Sequence, residues 1–292
     1  MTEPYLCNPK NTIEVLQKNE IRMQKRFGQN FLIDSHVLDK IMKAAKIDAN
    51  DLVLEIGPGI GTMTQYLAAK AYHVVAVEID QTLIPVLHEN LSDWDNITLI
   101  NQDILKIDLQ EVLKPWLGDH PLKVVANLPY YITTPIIMNL FESDIPLDAM
   151  TVMVQKEVAQ RMLASPGSKD YGALTLAIQY HASGEIVANV PPNCFLPRPN
   201  VGSAVVCLKK LSESSADPLD EKEMFRLIKA AFGQRRKTLA NAISNSKEIS
   251  YSREETENAL ESLGLDKRIR GEELSLKNFS DLCNKLISVK KQ

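Results

Sequence analysis

The chain has no run of apolar residues near the ~20 that a membrane helix needs. Its N-terminus lacks the apolar block of a signal peptide, and Glu3, Glu14 and Glu20 fit poorly with an acidic-poor transit peptide. The 4 cysteines, Cys7, Cys194, Cys207 and Cys283, are scattered with no CxxC pair. That argues against a zinc site or a disulfide framework and fits a reducing compartment. None of the 5 histidines sits at a metal-binding spacing, and the H-x-E…P-C-x-x-C pattern of zinc deaminases is missing. No Gly-Lys-Ser/Thr completes a Walker loop. The net charge is −4, so a nucleic-acid partner cannot be read from the average and would need a local basic patch. No internal repeat or low-complexity tract breaks the chain. The expectation from these absences is a soluble, cytoplasmic protein with no metal and no membrane partner.

What is present begins with size. The chain has 292 residues, 45% of them hydrophobic, enough to bury the core of one large domain and a small one. Short, nearly continuous apolar runs occur at 51–56 (DLVLEI), 73–79 (HVVAVEI), 97–100 (ITLI), 122–126 (LKVVA) and 149–154 (AMTVMV). Strands covered on both faces have this character. Helical patterns lie between them, as in 62–70 and 81–91. Strands alternating with helices predict a twisted parallel sheet. Residues 184–190 and 202–209 are expected to close it as an antiparallel pair across the 191–200 loop. Residues 212–220 (SESSADPLD) read as a linker. Beyond it, 221–292 is helical in period and has no good strand.

The first strand runs into LEIGPGIGTMT, with glycines at 57, 59 and 61. Glycines there permit a tight turn and a close approach by a ligand. Position 62, where the dinucleotide fingerprint wants a third small residue, is Thr62, so a dinucleotide site fits poorly. Glu78 ends the second strand at the distance where an acid accepts both ribose hydroxyls. Asp103 follows the third strand and could accept from the adenine amine; on its own it reads equally as a helix cap. Gly57, Gly59, Glu78 and Asp103 all fall at strand C-termini, where open α/β sheets bind ligands. Together they describe an adenosine-containing ligand held without a phosphate clamp, for which S-adenosylmethionine is the leading candidate.

After the fourth strand the chain reads VVANLPYYITTP. Pro129 fixes its own backbone, pushes Leu128 extended and removes a donor. The Asn127 side-chain carbonyl and the Leu128 carbonyl are then free to accept both N–H bonds of an exocyclic amine. Tyr130 offers a flat face for stacking. The group suits a flipped-out amino base, with stacking worth ~1–3 kcal/mol. Two basic groups complete the sequence signals. Arg22, Lys25 and Arg26 have the spacing of one helix face. Residues 226–247 hold Arg226, Lys229, Arg235, Arg236, Lys237 and Lys247 with no acid. The second group is a phosphate-tracking surface or a solvated face. The stretch 165–172 (SPGSKDYG) is a substrate loop or a connector.

These stretches carry a resemblance. Asn-Leu-Pro-Tyr after the fourth strand, with RFGQNFLID at 26–34, EIGPGIG at 55–61, FLPRPNVGS at 195–203 and FGQRRKTLAN at 232–241, resembles the ribosomal RNA adenine N6,N6-dimethyltransferases whose loss gives kasugamycin resistance. The likeness runs from about Met23 to about Ile287. It implies an α/β fold: a Rossmann-like S-adenosylmethionine-dependent methyltransferase core at 23–211, the linker, and a small all-helical RNA-binding domain at 221–292. Residues 1–22 form an N-terminal extension that no motif covers.

By the same resemblance, Asn30 and Leu32 touch the methionine part of S-adenosylmethionine. Gly57 lies against the cofactor, Glu78 holds its ribose and Asp103 its adenine. Asn127 links cofactor and target, and Phe195 is an aromatic wall opposite Tyr130. The implied reaction is dimethylation of two adjacent adenosines near the 3′ end of small-subunit (16S) rRNA within a pre-30S particle, by a monomer. Leu128 in place of isoleucine favours this family over the erythromycin-resistance methyltransferases of large-subunit RNA. A further alternative is an assembly factor whose catalysis is dispensable.

Overall fold

The computed structural model describes residues 4–21 and 28–290. It divides into two compact units, Met1–Ala159 with Gly184–Lys210, and Gln160–Ser183 with Leu211–Gln292.

In the first unit, β2 (Leu52–Ile56) and β3 (His73–Glu78) are buried along their whole length. They pair in parallel, and β3 pairs in parallel with β4 (Ile97–Asn101). On the other side of β2, β5 (Leu122–Asn127) and β6 (Leu147–Gln155) continue the parallel set. Antiparallel to β6 lies β9 (Ser203–Lys210), with β7 (Ala182–Val190) beyond it at the edge. The order β4-β3-β2-β5-β6-β9-β7 brings the C-terminal ends of β2, β3, β4 and β5 to one edge. The helices α2 (Ser35–Ala45), α3 (Thr62–Ala68), α4 (Ile84–Asn90), α5 (Leu109–Leu117) and α6 (Thr133–Glu142) connect or flank these strands. In α2 the Asp34 side chain caps the first turn by accepting from the Val37 N–H. Val37, Leu38, Ile41, Met42 and Ala45 form its buried face, the i, i+1, i+4 rhythm of a helix laid on a sheet.

Three short elements were not foreseen. The helix α1 (Pro9–Lys18) starts at an Asn8 cap with proline in its first turn. Leu16 of α1 packs with Phe31, Ile60, Leu83 and Val86. The Gln65 side-chain oxygen accepts from the Tyr5 and Leu6 N–H groups at 3.0 and 3.3 Å. The two-residue strands β1 (Phe31–Leu32) and β8 (Phe195–Leu196) pair antiparallel, so the expected 191–200 loop contains a strand. The expected helix at 81–91 is a 3-10 turn, Gln81–Leu83, followed by α4, because Pro85 is accommodated only in a helix's first turn.

The second unit is built from α8 (Ala173–His181), α9 (Glu221–Gly233), α10 (Leu239–Ser244), α11 (Arg253–Ser262) and α12 (Leu276–Lys290). Its core includes Leu227, Ile228, Leu260 and Phe279. A last helix, α7 (Lys156–Met162), spans the point where the units divide. Residues 160–183 lie with this unit, whereas the sequence reading drew them into 23–211. Tyr171 shows why: its ring is fully buried there and its hydroxyl donates to the Leu274 carbonyl at 2.7 Å. The Gly167 N–H donates to the Glu272 carbonyl at 2.7 Å. The stretch 165–172 is thus tied into the helical core as a connector.

Candidate active site

The strand ends create a cleft of about 1040 Å³, a figure that includes its solvent-open mouth. That lies at the upper end of the range for small-molecule sites. Asn30, Leu32, Gly57, Gly59, Glu78, Asp103, Asn127, Leu128, Pro129 and Tyr130 all line it. Gly57 has φ +69°, and a Cβ there would meet nothing within 4 Å, so the open face of the loop looks into the cleft. At Gly59 a Cβ would stand 3.1 Å from the Phe31 ring. That glycine is what lets the segment around β1 close down on the loop.

Glu78 is 5% exposed. One of its oxygens accepts from the Gly59 N–H at 3.2 Å and the other from the Asp80 N–H at 2.8 Å. Burial raises its pKa to about 7, against the pull of those bonds. Each oxygen keeps a further lone pair for a hydroxyl. The Asp103 carboxylate accepts from the Leu105 N–H at 3.1 Å and pairs with Lys106 at 3.5 Å. It therefore caps its turn while also lining the cleft.

Asn127 is the last residue of β5. Its side-chain N–H₂ donates to the Asn30 carbonyl at 3.0 Å, and the Asn30 side chain donates to the Gly28 carbonyl at 2.9 Å. This leaves the Asn127 side-chain carbonyl as an acceptor. Leu128 is buried and its N–H donates to the Met153 carbonyl at 3.1 Å. Its own carbonyl accepts no hydrogen bond among the described residues. The Pro129 carbonyl takes the Ile132 N–H and the Thr133 hydroxyl, which locks the turn. The Tyr130 hydroxyl is bonded to Ser203 at 2.6 Å.

Phe195 is placed differently. It is 3% exposed, packs in the core with Val37, Leu38 and Val205, and does not line the cleft. Its backbone, paired with Leu32, supports β1 from behind. Arg22, Lys25 and Arg26 lie outside the described residues. Arg235, Arg236 and Lys237 are exposed in the turn after α9. Arg235 is engaged within its own unit, donating to Glu272 and to the Lys169 carbonyl, each at 2.9 Å.

Two residues absent from the sequence reading also line the cleft, Glu55 and Tyr131. Glu55 is the next-to-last residue of β2, fully buried, and neither side-chain oxygen has a hydrogen-bond partner. Burial pushes its pKa to about 8; the nearby Thr64 hydroxyl lowers it without making a bond of proper geometry, and Glu78 raises it further. The Thr62 hydroxyl, also in the lining, is buried and unpartnered. The available signal was a lone acid inside an apolar strand covered on both faces.

The family model described as "Ribosomal RNA adenine dimethylase" matches residues 20–287. The chain belongs to the ribosomal RNA adenine dimethylases. The enzyme is 60% identical over 281 residues to "Ribosomal RNA small subunit methyltransferase A" of Lachnoclostridium phytofermentans, covering 96% of this chain and 97% of that one. It is 50% identical to the protein of the same name from Clostridioides difficile, with 94% of each chain covered. Among solved structures it is similar to a dimethyladenosine transferase from Plasmodium falciparum, at 27% identity and TM-score 0.74 over 89% of this chain and 98% of that one. It is also similar to the 23S rRNA methyltransferase ErmE, at 26% identity and TM-score 0.66 over 88% and 100%.

As a dimethylase the enzyme uses S-adenosylmethionine, whose parts set what the cleft must supply. An amino-acid ammonium needs buried acceptors, and a ribose needs an acid at a strand end. The unpartnered Glu55 oxygens, the Glu78 lone pairs and the open space at Gly57 meet those needs. The residues present fit the cofactor. Among the described residues no group of three His, Cys, Asp or Glu is placed to hold a metal, and no helix is long and apolar enough to cross a membrane.

Proposed function

We propose that this chain dimethylates N6 of two adjacent adenosines near the 3′ end of small-subunit (16S) rRNA, as a cytoplasmic monomer acting on a pre-30S particle. The observation that carries the reading is the position of Asn127. It ends β5 in the same cleft as Gly57, Glu78 and Asp103, with its N–H₂ already spent on Asn30. Asn30, Leu32, Gly57, Gly59, Glu78 and Asp103 would hold S-adenosylmethionine, which when bound supplies a methyl group activated by its sulfonium.

The chain's own residues handle the target. The Asn127 side-chain carbonyl and the Leu128 carbonyl accept the two N–H bonds of the flipped adenine amine. Tyr130, fixed through Ser203, stacks on the base. Holding both N–H groups draws the nitrogen out of conjugation and frees its lone pair. Proton loss to water then suffices, because a methylated ammonium on adenine is acidic. Catalysis is largely positioning, a class of effect that can supply ~7–11 kcal/mol. The second methylation proceeds with one N–H acceptor idle. Arg235, Arg236 and Lys237 of the 221–292 domain, with Arg22, Lys25 and Arg26, contact rRNA phosphates.

The test is labelled-methyl transfer to undermodified small subunits and, in parallel, large subunits, with mapping of the modified bases, for wild type and Asn127→Ala. Wild type should label two adjacent small-subunit adenines. Asn127→Ala should bind S-adenosylmethionine within a modest factor of wild type yet lose transfer nearly completely. Labelling confined to large subunits, or turnover retained in Asn127→Ala, would refute the assignment.

A further inference from the structure

Tyr131 has no part in the scheme above, yet it stands in the cleft. It is 55% exposed, whereas Phe31 in the same lining is 6% exposed and Tyr130 is half-buried. Its hydroxyl makes no hydrogen bond among the described residues. A Cβ placed on Gly28 would lie 3.7 and 3.8 Å from two atoms of the Tyr131 ring and 4.0 Å from the Pro129 side chain. The ring therefore reaches from the tetrapeptide side of the cleft to the backbone just before β1. Gly28, with no side chain, leaves room beside that ring. It also lies near the acids of the cleft: burial first, then the charges of Asp103 and Glu78, raise its hydroxyl's pKa above the usual tyrosine range.

Resting on the cofactor assignment made above, we propose that Tyr131 is a positioning residue that closes the adenosine end of the cleft and sets how long cofactor and spent product stay bound. Two features support it. A flat ring beside Asp103 and Glu78 can cover the nucleoside that those acids would hold. Its exposure, its unbonded hydroxyl and the missing side chain at Gly28 leave space beside it. Dimethylating two bases requires four cofactor exchanges, so residence time shapes the product distribution. A closure that is too loose would lose fresh S-adenosylmethionine before the second transfer to one nitrogen.

The experiment measures dissociation of S-adenosylhomocysteine from the full-length protein by stopped-flow displacement, for wild type, Tyr131→Ala and Tyr131→Phe. The ratio of monomethyl- to dimethyladenosine on undermodified small subunits is measured alongside. Tyr131→Ala should release the product roughly tenfold faster or more, the change expected when one ring stack is lost, and should shift the ratio toward monomethyl. Tyr131→Phe should match wild type, because the ring and not the hydroxyl covers the cleft. Apo melting temperatures should agree among the three. If the alanine variant unfolds, Tyr131→Leu carries the same expectation. Unchanged release in the alanine or leucine variant overturns the proposal, as does faster release in Tyr131→Phe. Failure of wild type to bind the product at all would instead overturn the cofactor assignment on which it rests.

Discussion

Glu55 and Glu78 are the two cleft acids whose chemistry departs from what water would give them. Both are buried carboxyls whose pKa values lie above the ordinary 4.5, near 8 and near 7. In the unfolded chain each ionises around 4.5. Between that value and its raised value the folded state keeps a proton that the unfolded state has lost, so stability falls as pH rises. The slope is about 1.4 kcal/mol per pH unit per carboxyl. Below 4.5 both states are protonated and the term vanishes. We expect Glu55→Gln to match wild-type apo stability near pH 5 and to exceed it near pH 8, as read from urea melts at the two pH values. Equal stabilities at pH 8 would show that Glu55 is ionised and solvated. Glu78 was legible in the sequence because a long apolar run fixes where β3 stops. Glu55 was only partly so, because a lone acid within such a run marks an unusual position without fixing which face it takes.

At the scale of elements, the N-terminal helix carries more weight than its lack of motif suggested. Leu6 and Thr12 are fully buried, the Thr12 hydroxyl donates to the Leu6 carbonyl at 2.6 Å, and Leu16 abuts Phe31. Phe31 in turn sits on Gly59, so α1 braces the glycine loop through one intermediate ring. Leu16→Ala should cost about 2–5 kcal/mol, the range for emptying a buried leucine site. The loss should appear as a lower melting temperature and faster amide exchange across Pro9–Lys18. Slow exchange with an unchanged melting temperature would mean the helix is dispensable. The sheet was legible throughout, since runs such as HVVAVEI have the right length and character for strands covered on both faces. β1 and β8 were not, because two residues carry no periodicity. The same limit explains Phe195: an aromatic beside a proline-rich turn gives no sign of which way it faces, and here it faces the core.

For the molecule as a whole, a net charge of −4 means that attraction to RNA must come from a few unneutralised cations. Arg226, Lys229 and Arg235 are paired with Glu223, Glu248 and Glu272. Arg236 and Lys237 are exposed, and no ion pair engages them among the described residues. Changing both to Glu should weaken rRNA binding and reduce the log–log salt slope by roughly 1.4–1.8, at ~0.7–0.9 per phosphate contact. A slope that does not move would take this turn out of the interface. The linker at 212–220 was readable from its Ser, Asp and Pro content. The membership of 160–183 in the helical unit was not, because Tyr171 meets Leu274 only through the tertiary fold. Long separation governs the packing on the glycine loop as well. Phe31 and Leu32 pair with Leu196 and Phe195, and Asp34 meets Cys194 across 160 positions. A ribosome making this chain thus delivers the glycine loop early and the second half of its cover much later. A nascent chain can fold much of its sheet before the strand pair backing that loop can form.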